Sequence, residues 1–280
     1  MSKTPTLGDR MKRYESVSNI SLIRRTPVVL RLDMSHGHTF TKGFIKPFDE
    51  VFMWSMQKTM ESLCKDIQGC VFGYTQSDEI TLVLTDYQTL ETDAWFDYRV
   101  EKLCSVASSK ATRYFNKYFR RTVDDIAHVC FMDKNKAFGE IYKTRGETEE
   151  KNLMTETQYS IYKKVYDTAE FDCRAFNVPI QDVTNCIIWR QNDAERNSVQ
   201  SLAQSLYSHR EIQGMSNNQL QNKMLTEREV NWDSLSICKK RGASCVRDTD
   251  GKWRIDWNMP IVKEQRDYVE RAVYITAFEE

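Results

Sequence analysis

The order of local patterns in the first 84 residues constrains the fold of this chain more than any other feature. Residues 27–33 form a short, β-branched apolar run bounded by polar residues, which predicts a buried strand ending at Asp33. After Lys46-Pro47, apolar residues recur at spacings of three and four, which predicts a helix with the proline in its first turn. Residues 69–84 alternate around a polar tip and predict a β-hairpin. The helix must return the chain beside the first strand, so we expect strand and hairpin to be neighbours.

Further helices and strands are predicted beyond the hairpin. Helices are predicted over residues 94–119, 179–207 and 220–225, and strands over 127–132, 171–178, 243–247 and 252–256. Residues 133–168 are highly charged with little periodicity and predict an inserted, partly helical segment. Together these patterns predict an α+β fold: an antiparallel-containing sheet with helices on one face, plus a smaller C-terminal part of helix and hairpin.

Composition excludes several classes of protein. Gly 10 and Pro 5 argue against a low-complexity chain and a loop-rich sandwich, and no apolar run approaches the roughly 18 residues of a membrane span. The N-terminus lacks the apolar core of a signal peptide, so we expect no membrane partner. Eight cysteines without a C-x-x-C pair favour reduced thiols in the cytoplasm and disfavour a zinc site. Lys+Arg 40 balances Asp+Glu 40, so any nucleic-acid binding must rest on local patches.

Two acids are the candidate catalytic residues. Asp33 ends the first strand and Asp78 lies at the hairpin tip, so both carboxylates project from one end of the sheet if these elements pair. Their mutual repulsion is relieved by divalent cations, and two Mg²⁺ ions activate an attacking hydroxyl and stabilise a leaving phosphate. The alternative is that both acids are ordinary strand-end and turn residues. His36 and His38 lack a third soft ligand nearby, which disfavours a transition-metal site.

A polar turn after the first strand is a candidate phosphate site. Residues 34–39 can direct backbone N–H groups at an anion. The candidate nucleotide-binding residues are Asp33, Met34, Ser35, His36, Gly37, His38, Lys46, Ser77, Asp78, Arg99 and Lys102. Among them Lys46, Arg99 and Lys102 can supply positive charge to a triphosphate. For each basic residue taken singly, the alternative is a solvated surface charge.

These residues carry a resemblance to a known family. The matching motifs are Arg31-Leu32-Asp33, His38-Thr39-Phe40, Lys46-Pro47-Phe48-Asp49, Tyr74-Thr75-Gln76-Ser77-Asp78-Glu79, the basic pair Arg99 and Lys102, Phe171-Asp172-Cys173-Arg174, Val178-Pro179 and Trp189-Arg190-Gln191. In order, over residues 8–260, they resemble the tRNA-His guanylyltransferase family, which adds nucleotides to RNA 5′ ends in the 3′-to-5′ direction. The combination of the hairpin-tip motif with the Lys-Pro-x-Asp block is what makes the match specific.

The resemblance implies a polymerase-palm-like catalytic part over residues 1–132, an insertion over 133–168, and a remainder over 169–280 that completes the catalytic part and contacts RNA. It implies that Asp33, Asp78 and the carbonyl of Met34 hold two Mg²⁺ ions, with the backbone of residues 33–38 and Ser77 holding the triphosphate. It further implies a tRNA or tRNA-like partner, ATP and GTP or other nucleoside triphosphates as substrates, and a homotetramer.

Three departures from the family pattern bear on function. Met34 and Cys173 stand where the family usually has glycine, and a side chain at residue 34 is expected to crowd the phosphate turn. Residues 195–198 replace a His-Ile-Asn-Asn run of the eukaryotic members, so the chain resembles the bacterial, archaeal and phage branch, whose members resemble template-dependent 5′-end repair enzymes. A palm-type nucleotide cyclase and a catalytically silent RNA-binding relative are the alternatives.

Overall fold

The computed structural model describes residues 6–131 and 154–274. Its strands are β1 (Val28–Met34), β2 (Cys70–Gln76), β3 (Glu79–Leu84), β4 (Phe171–Asn177), β5 (Ala243–Arg247) and β6 (Trp253–Asp256). Its α-helices are α1 (Leu7–Ser16), α2 (Gly37–Phe40), α3 (Glu50–Asp66), α4 (Val100–Phe131), α5 (Glu156–Lys163), α6 (Val183–Leu206), α7 (His209–Ile212), α8 (Asn217–Arg228), α9 (Ile237–Arg241) and α10 (Asp267–Val273). None of the helices within these ranges is long and apolar enough to cross a membrane.

The strands form one six-stranded sheet in the order β4-β1-β3-β2-β5-β6. Every neighbouring pair is antiparallel, and the register sets Asp33 opposite Glu79 on β3 and opposite Asp172 on β4. The first strand is therefore beside the hairpin, as the sequence predicts. Because β1 ends where β3 begins, the end of β1 lies at the hairpin tip.

Helices cover both faces of this sheet. On one face, Leu30 and Leu32 share an apolar core with Phe115 of α4 and residues of α3. On the other face, Val29 packs in a second core with Ile187 of α6 and Val269 of α10. The α+β fold with an antiparallel sheet is confirmed, but the expectation that helices lie on one face only is wrong. The physical reason is visible in β1, where consecutive residues Val28, Val29 and Leu30 are all buried, as in a strand covered on both sides.

Two predicted elements differ in the structure. Residues 127–131, predicted as a strand, belong to α4, because Val123, Ile126 and Ala127 continue the buried stripe of this helix. Residues 95–98 form a short 3₁₀ turn rather than the first turn of the long helix. The helix predicted from Pro47 begins at Glu50, because the Asp49 side chain caps it by accepting from the Phe52 N–H at 2.9 Å.

The predicted insertion lies partly outside the described residues. Residues 133–153 are not among them, whereas residues 156–163 form α5. Tyr162 of α5 is 1% exposed, its ring lies 4.9 Å from that of Phe44, and its hydroxyl donates to Asp49 at 2.7 Å. The end of this segment therefore packs against the part of the chain that carries the Lys-Pro-x-Asp block.

A third apolar cluster lies away from the sheet. It joins the last turns of α6 to α7, α8 and the turn at Trp232, and its buried residues are Val199, Leu202, Ala203, Tyr207, Ile212, Leu220, Met224 and Trp232. The helix α6 thus runs from the sheet core at one end to this cluster at the other.

Candidate active site

Asp33 and Asp78 lie together at the end of β1. Asp78 sits in the two-residue turn of the hairpin, and its backbone carbonyl accepts from the Met34 N–H at 3.1 Å. Burial raises the pKa of Asp33 above its usual range, and the charges of Asp78 and Asp172 raise it further. Asp172, on the neighbouring strand, is an acid that the motif analysis did not assign to the site. The structure therefore brings the two predicted acids together, with a third carboxylate opposite Asp33.

The turn after β1 is fitted closely against Asp78. A Cβ added to Gly37 would lie 2.2 Å from Oδ2 of Asp78, so this position accepts only glycine without a shift of that carboxylate. His36 has a left-handed backbone, with a φ of 57°, and leads the chain into α2. The N–H groups of Gly37 and His38 begin this helix and have no acceptor within it, so they can meet an anion.

Met34 does not crowd this turn, contrary to the expectation from sequence. Its side chain is 3% exposed and packs in the core shared with α3 and α4. The reason is strand geometry: Met34 is the last residue of β1, so its side chain points to the face opposite that of Asp33. The backbone N–H of Ser35 already donates to the Glu170 carbonyl at 2.8 Å, so it does not face a phosphate. The Ser35 hydroxyl is the group that remains for a phosphate.

The oxygen donors at this end of the sheet suit magnesium. Within residues 6–131 and 154–274, no cluster of three or more His, Cys, Asp or Glu side chains is placed to hold a metal ion. Magnesium needs fewer: it binds through one or two carboxylates and completes its shell with waters and substrate phosphates. Two mutually repelling carboxylates beside a strand-end carbonyl fit that donor set. Asp33, Asp78 and the Met34 carbonyl are therefore the groups that could hold it.

A cavity of about 190 Å³ adjoins the hairpin tip. Gln76 and Ser77 form one wall and Lys46 another, while Lys239 and Lys240 of α9 approach from the C-terminal part. The remaining lining comes from the segment around Thr41–Met53 and from α6 at Ala194, Asn197, Ser198 and Ser201. Lys239 is paired with Glu50 at 2.6 Å and Lys240 with Asp233 at 3.8 Å, so Lys46 is the lysine best placed to meet the phosphates of a nucleotide in this cavity.

Asp49 holds the segment that carries Lys46. Its carboxylate is 7% exposed and accepts from the N–H of Ile45 at 3.0 Å as well as from Phe52 and Tyr162. Burial raises the pKa of Asp49, although these three donors counteract that effect. The Asp of the Lys-Pro-x-Asp block thus shapes one wall of the cavity rather than contributing charge to its interior.

Arg99 and Lys102 are not brought to this site. The Thr112 hydroxyl of α4 accepts from the N–H of Phe171, and Phe171 pairs with Met34 beside Asp33. Thr112 is therefore the part of α4 that lies closest to the end of β1. Lys102 precedes Thr112 by ten residues, which is about 15 Å back along the helix axis. Because α4 starts at the end of the sheet away from the acids, neither basic residue shares a triphosphate with Asp33 inside one chain.

A buried ion pair links α6 to the hairpin. Arg190 is 6% exposed, and its Nε lies 2.9 Å from Oε1 of Glu79, the residue after Asp78. Arg31 lies 3.7 Å from the other oxygen of Glu79, and Arg190 also pairs with Asp193. Burial raises the pKa of Glu79, while Arg190 and Arg31 oppose that shift. Arg31, Glu79 and Arg190 all stand in the sequence motifs, but their pairing has no signal there, because a sequence does not show which arginine reaches which acid.

Residues 195–198, which stand where eukaryotic members have His-Ile-Asn-Asn, lie beside the cavity. Asn197 and Ser198 line it, and Glu195 accepts from Nε of Arg241 at 3.0 Å. The charge of Glu195 is thus compensated within the protein.

The antiparallel sheet, with helices on both faces and two acids at one strand end, defines a palm-like domain. A family model described as "tRNAHis guanylyltransferase" (Thg1) matches residues 8–179. This chain therefore belongs to the tRNAHis guanylyltransferase family, whose members are nucleotidyltransferases.

Solved structures and a viral relative extend the match to most of the chain. A bacterial tRNA(His) guanylyltransferase-like protein in complex with ATP is 35% identical, with a TM-score of 0.77, and the match covers 96% of this chain and 100% of that one. A similar bacterial structure in complex with GTP is 31% identical, with a TM-score of 0.70 and the same coverage. An uncharacterized protein of Acanthamoeba polyphaga mimivirus is 26% identical over 84% of this chain and 75% of its own length.

Proposed function

We propose that this protein adds nucleotides in the 3′-to-5′ direction to the 5′ end of tRNA or tRNA-like RNA, with the opposite strand selecting the base. G addition to tRNA-His is one case of this reaction. The observation that carries the proposal is the position of Asp33 and Asp78 beside a lysine-lined cavity. The likeness to bacterial proteins that bind ATP and GTP supports a nucleotide as the occupant of that cavity.

The proposed chemistry has two displacements at phosphorus. First the 5′-phosphate of the RNA attacks the α-phosphorus of ATP, and pyrophosphate leaves with the electrons of the broken bond. The 3′-hydroxyl of the incoming nucleoside triphosphate then attacks the activated 5′-phosphate, losing its proton, and AMP leaves. An RNA that already carries a 5′-triphosphate needs only the second displacement, with pyrophosphate as the leaving group.

Residues at the strand end have separate roles in this scheme. Asp33, Asp78 and the Met34 carbonyl would hold two Mg²⁺ ions, which neutralise phosphate charge and lower the pKa of the attacking hydroxyl when bound. The N–H groups of Gly37 and His38 and the hydroxyls of Ser35 and Ser77 would orient the phosphates. The ammonium group of Lys46 would balance their charge from the cavity wall.

The segment beside the cavity supports a templated choice of base. A non-templated G addition requires the protein to select guanine itself. The neutral side chains of Asn197 and Ser198 stand at the cavity wall, and Glu195 is paired with Arg241, so the residues of this segment that line the cavity offer no charge to select a base. Base pairing with the opposite strand can then decide which nucleotide is added.

We test this with four tRNAs that lack their first nucleotide and differ only at the templating position. Incubation with Mg²⁺ and all four nucleoside triphosphates should extend each RNA with the complementary base. Addition of G to all four, whatever the template, would contradict templating. Formation of cyclic nucleotides would point to a cyclase, and RNA binding without addition to a catalytically silent relative.

Cytoplasmic location and assembly as a homotetramer belong to the same proposal. The helix α1 supports assembly, because Leu7, Met11 and Tyr14 form an exposed apolar stripe at helical spacing. Such a stripe is typical of a surface that meets another copy of the chain.

A further inference from the structure

An exposed indole packs against Arg31, two residues before Asp33 on β1. Trp189 of α6 is 52% exposed, although its neighbour Arg190 is buried. The guanidinium carbon of Arg190 lies 4.2 Å from the centroid of the indole ring, and that of Arg31 lies 5.6 Å from it. Two arginines therefore fix the ring while much of its surface stays open to solvent.

The arginines that hold this ring are themselves fixed. Arg190 is bound by Glu79 and Asp193, and Arg31 projects from a central strand of the sheet. The orientation of Trp189 is thus determined by the same ion pair that anchors α6 to the hairpin. An aromatic surface held in this way loses little side-chain entropy when a flat ligand stacks on it.

The position of the ring relative to Asp33 suggests its ligand. Arg31 and Asp33 lie two residues apart on β1, so they project from the same face and are separated by about 7 Å along the strand. On β4, the exposed Arg174 stands opposite Arg31 and adds a second guanidinium to the face that carries Asp33 and Asp172. An aromatic ring with guanidinium groups beside it is the chemistry that binds an unpaired nucleotide, by stacking on the base and pairing with the phosphate.

We propose that Trp189 is a stacking platform for the 5′-terminal base of the RNA. Stacking there sets the end of the strand over the face that carries Arg31 and Asp33, and so directs its 5′-phosphate toward the acids. This inference rests on the proposed function, since it supplies the binding contact for the RNA end that the reaction extends.

The test uses truncated tRNA with 2-aminopurine as its 5′-terminal base, in chelator and without nucleoside triphosphates. Stacking on the indole should quench the 2-aminopurine emission in the wild type. Trp189→Phe should retain most of the quenching and Trp189→Ala should lose it. Anisotropy of a dye at the RNA 3′ end measures binding separately, and the affinity of Trp189→Ala should fall by roughly five- to a hundred-fold.

A matched control uses another partly exposed aromatic residue. Phe96 is 39% exposed and follows β3 at the end of the sheet away from the acids, so Phe96→Ala should leave quenching unchanged. In addition assays, Trp189→Ala should raise KM for the truncated RNA and leave KM for ATP unchanged.

The outcomes separate this inference from the proposed function. Nucleotide addition by the wild type together with equal quenching in wild type and Trp189→Ala would overturn the platform and leave the function standing. Quenching that depends on Trp189 in a protein that adds no nucleotide would support the platform and overturn the function. An equal loss of quenching in Phe96→Ala would also contradict the assignment.

Discussion

At the scale of single residues, the fold and the proposed reaction favour different protonation states of Asp33. Burial and the charges of Asp78 and Asp172 raise the pKa of Asp33, and the opposing charges of Arg174 and Arg31 offset this rise only in part. The ionised carboxylate that chemistry requires at neutral pH is therefore the form that the metal-free fold disfavours. Function and stability conflict at this position, as they do at many catalytic sites.

We expect Asp33→Asn to abolish nucleotide addition and to raise the Tm of the metal-free protein at neutral pH. The raised pKa means that folded Asp33 takes up a proton at higher pH than unfolded Asp33, whose pKa is about 3.9. The stability advantage of asparagine is thus largest near neutral pH and shrinks as pH falls toward the unfolded pKa. Thermal unfolding in chelator between neutral pH and about pH 4 measures this.

Asp78→Asn serves as the companion variant, because it removes the other charge of the pair. It too should lose activity, and it should bring the pKa of Asp33 closer to its usual range. Near-normal nucleotide addition by either variant would refute the assignment of Asp33 and Asp78 as the catalytic pair.

At the scale of secondary-structure elements, the pair Glu79–Arg190 decides how α6 sits on the sheet. Neither partner has enough contact with water to compensate for loss of the other. Breaking one side of a buried ion pair costs about 3–5 kcal/mol. Without Arg190, Glu79 would keep only the longer contact with Arg31 at 3.7 Å, which compensates its charge in part.

We therefore expect Arg190→Met to lower the free energy of unfolding by about 3–5 kcal/mol. Replacing Glu79 with Gln in the same chain should recover part of this loss, since the more buried charge of Glu79 is then removed, although Arg31 loses its partner. Chemical denaturation of the two variants measures both effects. Arg196→Ala is the control on the same helix, because the Arg196 side chain is 65% exposed, and we expect a change below about 1 kcal/mol. A loss in Arg196→Ala equal to that in Arg190→Met would refute the argument.

Elements that depend on local pattern were predictable from the sequence. The pairing of β1 with the hairpin follows from alternation and a short turn, and the structure confirms it. Residues 127–131 were misassigned because five residues of mixed apolar type fit a strand as well as the end of a long helix. The second covered face of the sheet has a signal in the run Val28-Val29-Leu30, because three consecutive apolar residues in a strand place apolar side chains on both faces.

Long-range placements were not predictable in the same way. The spacing of Arg99 and Lys102 predicts one helical face, but Arg99 precedes α4, and the point at which α4 passes the acids depends on its packing against β4. The partner of Glu195 lies on α9, and no local pattern links the two positions. Such contacts arise from the tertiary fold, which a single sequence specifies only through all of its interactions together.

At the scale of the whole molecule, the third apolar cluster sets the C-terminal helices apart from the sheet. The residues of this cluster come from α6 and from the segments after it, and none comes from β1, β2 or β3. Regions with fewer shared contacts open at lower free energy than the central strands of a sheet.

We expect amide hydrogens of α8 to exchange faster than those of β1 and β3. Met224→Ala should accelerate exchange in α8 further, because Met224 is fully buried in the third cluster, and should leave β1 unchanged. Hydrogen exchange read by mass spectrometry resolves the two regions. Equal acceleration across β1 and α8 would mean that the cluster unfolds together with the sheet.

The direction of the Met34 side chain has a consequence for how relatives of this protein can be recognised. In the proposed site, residue 34 contributes a backbone carbonyl, which every amino acid possesses, while the Met34 side chain is buried in the hydrophobic core. A search pattern that demands glycine after the first aspartate would therefore discard chains whose catalytic geometry is intact. The glycine that such a pattern ought to require stands three residues later, at Gly37, where the carboxylate of Asp78 leaves no room for a side chain.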